Sequence, residues 1–441
     1  MRQPGSAAFQ AALKEIDAEV IVLGAGVTGI STAIVMCSLG YKTTIVSDKI
    51  ASQDSPHQSD SSIATNFAMA SAYPHNLRIR NLEKVSDDSQ ELFRYFQAQV
   101  GSGVSKCRIF EVFEHEPSVD AAPLSDRRMN FQNFDGPPSR LKATVDPPAR
   151  KEADYLWGWV FDSYFADMPI YLKHLWTVFQ SLGGTVCGAR VDRVEDLSCV
   201  ADRIIINCLG LGAMSFCNDR SPCRIVRGTQ LIQSSAAPIL DADGTPLAYN
   251  YTPTADVFSR ADGSPEYVHF FSRSDGWILG QTREPGSLDE SGNWVGPVNK
   301  DQESVIDGMR VPEPIVSLNE ELLNNWKGLK IERGALIARQ GYRYYRDPDD
   351  TGVRIDSEEI GNNLLIHNYG HGGSGITMSW GSAIACASLV PNINEKIRNR
   401  GIAAIRERGE PAATRERRLP GGIEKGSITD LRNLIYSRLN N

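Results

Sequence analysis

EVIVLGAGVTGISTAIVMCSLGYKTTIV, residues 19–46, decides the fold. Val20 to Leu23 form a short apolar strand, and Gly24, Ala25, Gly26, Val27, Thr28 and Gly29 satisfy G-x-G-x-x-G. Apolar residues at helical spacing run from Ile30 through Ile34 and Val35 to Leu39, and Gly40 ends them. Thr43 to Val46 then form a second strand that reaches Asp48. Each residue type has a reason. Gly24 permits the tight turn, Gly26 lets a pyrophosphate approach the backbone, and Gly29 lets helix and strand pack closely. The helix start offers unpaired N–H groups to phosphate, and Asp48 has the spacing of a carboxylate that grips a ribose. The expectation is a dinucleotide site, with FAD or a nicotinamide both open at this point.

The rest of the composition narrows the class. The chain has 441 residues, 41% hydrophobic and with a formal charge of −8, enough for two domains or one large α/β unit. The acidic balance argues against nucleic acid as a partner. Eight cysteines, Cys37, Cys107, Cys187, Cys199, Cys208, Cys217, Cys223 and Cys386, form no C-x-x-C pair and read as free thiols, not a zinc site or a disulfide framework. No apolar stretch approaches membrane-spanning length, and the start of the chain lacks a basic-then-apolar leader. Near the end, SRL is followed by two asparagines, which spoils it as a peroxisomal address. The expectation is a cytoplasmic protein.

Further along, residues 50–66 are polar and serine-rich, suited to supplying hydroxyls near a pyrophosphate. A helical pattern covers 77–97. Residues 114–153 are proline-rich and charged, and read as a surface excursion. YLWGWVFDSYFA, 155–166, is dense in aromatics, and a helix opened by Pro169 buries Leu172, Leu175 and Phe179. Ile204 to Ile206 form a continuously apolar strand of the kind buried on both faces of a parallel sheet, followed by a tight turn to Gly212. RIVRGTQLIQ (224–233) and YVHFFSRSDGWILGQT (267–282) are strand-like, the second with a Ser-Asp-Gly hairpin turn. They suggest a separate, largely antiparallel substrate sheet. GNNLLIH is a last strand, leading into NYGHGGSGITMSW (368–380), where four glycines crowd between Gly370 and Gly375 before a helix. Beyond Pro391 the chain is charged, and 403–441 reads as a peripheral tail that could bind a partner or close a homodimer.

Taken together, VIVLGAGVTGIS, ADRIIINCLGLGA, RIVRGTQ, ARQGYR and above all HNYGHGGSGITMSWGSA resemble the FAD-dependent D-amino acid oxidase family, which includes D-aspartate oxidases; the likeness runs over roughly residues 18–390. It implies an α/β fold in which a Rossmann-type FAD-binding domain (18–76, 184–222 and 360–390) interleaves with a mixed-sheet substrate domain (77–183 and 223–359), with 391–441 a charged extension. It selects FAD. Cofactor contacts carry over onto Gly24, Gly26, Val27, Thr28, Gly29, Asp48, Lys49, Ser61, Ser62, Ala64, Val191, Gly210, Gly372, Gly373, Gly375, Ile376 and Thr377, the last five beside the flavin ring, for which the glycines would leave room.

The family's carboxylate-binding arginine falls on Arg343, a planar fork suited to a bidentate carboxylate. A family tyrosine on the hairpin strand falls on His269, with Tyr267 on the same face as the alternative. Three positions depart from the family: Tyr344 in place of proline, Ser374 in place of the tyrosine common in animal members, and Asn66 in place of a flexible glycine. The implied reaction moves a hydride from the Cα of a D-amino acid to flavin N5, releases an imine that hydrolyses to 2-oxo acid and ammonia, and reduces O2 to H2O2. It requires no general base. Arg224, Arg227 and Arg273 join Arg343 as candidates for a second anion site toward an acidic substrate. Two other readings stand beside this one: a related oxidase or dehydrogenase of glycine, a secondary amine or an imino acid, and a flavoprotein that only binds.

Overall fold

The computed structural model describes residues 7–52, 60–73, 78–118, 128–297, 302–347, 349–393 and 425–440. Two sheets organise it. The first has six strands in the order Ser357–Ile360, Asn363–His367, Ile204–Asn207, Val20–Ala25, Thr43–Ile50 and Thr185–Cys187, all parallel except the first. The central strand is buried on both faces, as its unbroken apolar run requires. Val20 and Val22 pack on one side, Ile21 and Leu23 on the other. Helices cover both sides. Ala7–Lys14 brings Phe9 and Leu13 to one face, while Val27–Ser38, Met168–Ser181 and Gly375–Ser388 cover the other. Leu82–Gln97 packs on Gly375–Ser388 from outside.

The second sheet has ten strands and is antiparallel except where Val104–Phe113 runs parallel to Leu247–Thr252. Its path runs from Trp294–Val295 and Glu284–Leu288 through Cys223–Ser234, Gly276–Gly280, Val268–Arg273, Leu247–Thr252, Val104–Phe113 and Leu156–Ala166 to Met129–Gly136. Leu336–Arg346 pairs with Cys223–Ser234 over its whole length. Helix Glu313–Lys327 closes one face of this sheet, burying Ile315, Leu318, Leu322 and Leu323 against Tyr249 and Phe270. The other face is left for the site.

Two segments differ from the expectation. Part of the proline-rich excursion is an edge strand, Met129–Gly136, paired with Leu156–Ala166; its polar, alternating sequence suits an edge with one wet face. Residues 119–127 of the excursion, 53–59 of the serine-rich loop and 394–424 of the tail lie outside the described residues. The end of the tail is not peripheral. Helix Lys425–Asn440 buries Ile428, Leu431 and Ile435 in the core shared by Val27–Ser38, Leu82–Gln97 and Gly375–Ser388. Arg438 pairs with the buried Asp88 at 2.6 Å, and the Tyr436 hydroxyl donates to Ser38 O. The apolar stripe Ile428, Leu431, Ile435 has helical spacing but is diluted by charges along the same segment.

Candidate functional site

One cavity of about 1410 Å³ runs from the C-terminal ends of the parallel strands to the open face of the ten-stranded sheet. That exceeds the roughly 300–1,000 Å³ of ordinary small-ligand pockets and suits a dinucleotide with a substrate beside it.

Its first end is built by the opening motif. Gly24 has φ +98°, and a Cβ there would stand 2.6 Å from Cys208 O, so only glycine makes this turn. A Cβ on Gly29 would meet Gly24 O at 2.0 Å, which is the close helix–strand approach expected of the third glycine. Gly26 is different: a Cβ would meet only the Thr65 hydroxyl, at 3.3 Å. The backbone is therefore bare toward the cavity where Val27 opens the helix. The Val27 N–H donates to Thr65 Oγ1 at 3.1 Å. Asp48 and Lys49 also line this end, and Lys49 is held by Asp60 at 2.5 Å and by Ser62 Oγ at 3.2 Å. Ser62, Ala64, Val191 and Gly210 complete the wall.

At the far end lie Gly372, Gly373, Ser374, Gly375, Ile376 and Thr377, the last three in the first turn of Gly375–Ser388. The glycines there have separate causes. Gly370 and Gly372 take positive φ, and a Cβ on Gly372 would meet the Tyr345 ring at 2.1 Å. They are bare because the protein's own chain fills the space. At Gly375 a Cβ would find only His371 Cβ, at 3.8 Å, so that backbone is open to a ligand. Thr377 donates its hydroxyl to Ser71 O at 3.1 Å, tying the helix start to the chain beneath it.

Of the expected cofactor contacts, two do not line the cavity. Gly29 is spent on packing, and Ser61 donates to Gln340 O at 2.8 Å, pinning its loop to the Leu336–Arg346 strand.

Arg343, Tyr267 and His269 all line the cavity, converging from two strands of the larger sheet. Gly228 makes room for Arg343; a Cβ there would stand 2.7 Å from its guanidinium. Arg343 donates to Thr282 O at 3.0 Å and to the Gln281 side chain. His269 is buried beneath Gly280, where a Cβ would meet its Nε2 at 2.3 Å. Burial raises the Tyr267 phenol above its ordinary pKa, while Arg283 and Arg343 pull it back.

Of the further arginines, Arg224 lies at the rim, paired with Asp349 at 3.4 Å. Arg227 is taken by Glu284 at 2.9 Å and covered by Trp294. Arg273 is paired with Asp275 and does not line the cavity, so the structure does not support it as a second anchor. Arg339 lies over Phe67 and donates to Asn66 O; burial lowers its pKa to about 10. Asn66 is itself buried, its side-chain Oδ1 accepting from the Ser52 N–H.

A further cation lining the cavity is Arg283, whose Cζ lies 4.3 Å from the Tyr267 ring centroid. Burial opposes its charge, but Tyr267, Glu266 and Tyr345 outweigh that and hold its pKa above the ordinary value. Sequence reading missed it because it stands three residues beyond the Gly276–Gly280 strand, where alternation no longer tells which way a side chain points. His371 was also missed: it lines the cavity, and burial holds its imidazole down to about 4.

Comparison with known proteins gives these features a family. A family model described as FAD dependent oxidoreductase matches residues 19–389. The human D-aspartate oxidase is 25% identical over 384 residues, covering 85% of this chain and 94% of that one. The D-amino-acid oxidase of Dictyostelium discoideum is 24% identical, covering 84% and 91%. Among solved structures, glycine oxidase from Bacillus cereus ATCC 14579 superposes with a TM-score of 0.58 at 16% identity, over 86% of this chain and 98% of that one, a likeness of fold. The bare backbone at Gly26 and Gly375, at two ends of one long cavity, fits FAD. With the match covering most of its length, the chain belongs to the FAD dependent oxidoreductase family.

Proposed function

We propose that the protein oxidises the Cα–N bond of an amino acid, with an acidic D-amino acid as the substrate class. The observation that carries this is two guanidinium groups, Arg343 and Arg283, entering one cavity beside the glycine-rich start of Gly375–Ser388. Arg343 takes the α-carboxylate through its planar fork. Arg283 meets a side-chain carboxylate, and Tyr267 lies beneath it as a hydrogen-bonding wall. FAD, held along the bare backbone at Gly26 and Gly375, would supply the hydride acceptor and the route of the electrons to dioxygen, with hydrogen peroxide as the second product. The chain's part is positional: two fixed cations orient the Cα–H, which is where a large share of such a rate acceleration arises. The amine proton leaves to solvent, and the released imine hydrolyses to 2-oxo acid and ammonia. The names of the curated relatives, D-aspartate oxidase and D-amino-acid oxidase, agree with this reading.

A second reading, oxidation of glycine, a secondary amine or an imino acid, is favoured by one feature. Arg283 is already partly compensated by Glu266 and Tyr267, and a cation neutralised by its own chain needs no second anion from the substrate. Anaerobic addition of D-aspartate, D-glutamate, D-alanine, their L-forms, glycine and proline, with the oxidised-flavin absorbance followed, separates the two. Bleaching by the D-dicarboxylates foremost supports the first. Bleaching by glycine or proline with the dicarboxylates inert would sink it in favour of the second.

A further inference from the structure

The floor of the substrate end is a row of residues set side by side across five strands. Gln230 faces Gly280, Gly280 faces His269, His269 faces Asn250, and Asn250 faces Glu111. Directly opposed residues carry their side chains on one face of a sheet. Tyr249 and Tyr251, the neighbours of Asn250, turn to the helix-covered face instead, which leaves Asn250 toward the cavity it lines.

Asn250 is 5% exposed, and its amide is held in one orientation. Its Nδ2 donates to Glu111 Oε1 at 2.7 Å and to the Tyr73 hydroxyl oxygen at 2.8 Å. Tyr73 in turn donates to the same carboxylate oxygen. A flip of the Asn250 amide would set its carbonyl against an acceptor, and the network forbids it. Asn250 Oδ1 is thereby turned away from the network, buried and without a hydrogen-bond partner among the described residues. A buried acceptor left unmade costs free energy, which a ligand donor recovers.

We infer that Asn250 is a specificity-determining residue whose pinned carbonyl oxygen accepts an N–H of the substrate's amino group. The inference rests on the amino acid reading above. The two arginines are donors only, so they cannot serve an amine. The Glu111–Tyr73–Asn250 network supplies the acceptor they lack, and Glu111 and Tyr73 are positioning residues for it.

The test compares the best primary amino acid with its N-methyl counterpart in the FAD-loaded enzyme and in Asn250→Ala. It also measures the dissociation constant of succinate, which keeps the anions and lacks the amine. The variant should lose roughly 5- to 100-fold in kcat/KM for the primary amine, lose much less for the N-methyl compound, and bind succinate as before. If the space left by alanine prevents folding, Asn250→Leu, of nearly the same size, carries the same comparison. An unchanged ratio of the two substrates would overturn the inference. So would equal weakening of succinate, which marks a structural role, or a loss of FAD affinity with the ratio intact, which assigns the acceptor to the cofactor. A wild-type flavin that no amino acid reduces removes the underlying reading instead, and this inference with it.

Discussion

The Arg283 guanidinium stacks on the Tyr267 ring, 4.3 Å from its centroid, at the point where Arg343 enters the same cavity. The stacking fixes the direction of this charge, and the proposed function makes Arg283 the selector for a side-chain carboxylate. Arg283→Leu is expected to lower kcat/KM for D-aspartate by roughly 10- to 100-fold, the worth of a charged hydrogen bond, and to leave D-alanine within a few-fold. Arg283→Lys should recover only part, since an ammonium cannot reproduce a planar fork. Steady-state kinetics on both substrates check this; an equal loss on each would show that Arg283 supports the wall and does not select.

Gly24 tests the cofactor end. With φ at +98° and Cys208 O at 2.6 Å from a built Cβ, Gly24→Ala combines backbone strain with a steric clash. Strain of this kind costs on the order of 1–3 kcal/mol. The expected outcome is a protein of lower Tm that loses FAD on dilution, read by flavin fluorescence. Retention of FAD with an unchanged Tm would show that the turn relaxes and does not govern the site.

The tail helix makes a prediction remote from the cavity. Ile435 is fully buried between elements that the rest of the chain builds. Ile435→Ala should cost about 2–5 kcal/mol by denaturant unfolding, the range for emptying a packed aliphatic site. The dissociation constant for FAD should stay unchanged. A loss below about 0.5 kcal/mol would mean the helix is not docked in solution.

His371 supplies a pH dependence. Its folded-state pKa is lowered from 6.5 to about 4 by burial, so the folded imidazole stays neutral while the unfolded one takes up a proton. The unfolded chain binds more protons across that window, and stability falls as the pH drops from about 6.5 toward 4. The full contribution is present above pH 6.5 and amounts at most to about 3 kcal/mol. His371→Gln should flatten the stability curve over this window relative to the wild type, with FAD saturating both. Parallel curves would place the proton uptake elsewhere.

How much of this was legible beforehand follows from what kind of signal each part carries. The parallel sheet was legible because its strands are continuous apolar runs and its turns demand glycine; Gly24 and Gly29 sit as their spacing implies. Arg343, Tyr267 and His269 were reachable through the family resemblance, which places an arginine and a strand tyrosine at these positions. Arg283 and Asn250 were not. Their roles depend on which strand lies beside which, and neighbours such as Glu111 and Asn250 stand 139 residues apart in the chain. The edge strand Met129–Gly136 was hidden by its polarity, and the tail helix by the charges around its three buried residues.

By itself the sequence determined the dinucleotide turn and the order of strands and helices around it, because these are local demands of φ and periodicity; Arg343 was singled out by the family resemblance. Only the tertiary structure decided which of several arginines lies over Tyr267, which glycines are bare for a ligand and which for Tyr345, and which way the Asn250 amide points. Those depend on packing and hydrogen bonding between residues distant in the chain, where a side chain's direction is set by its neighbours in space.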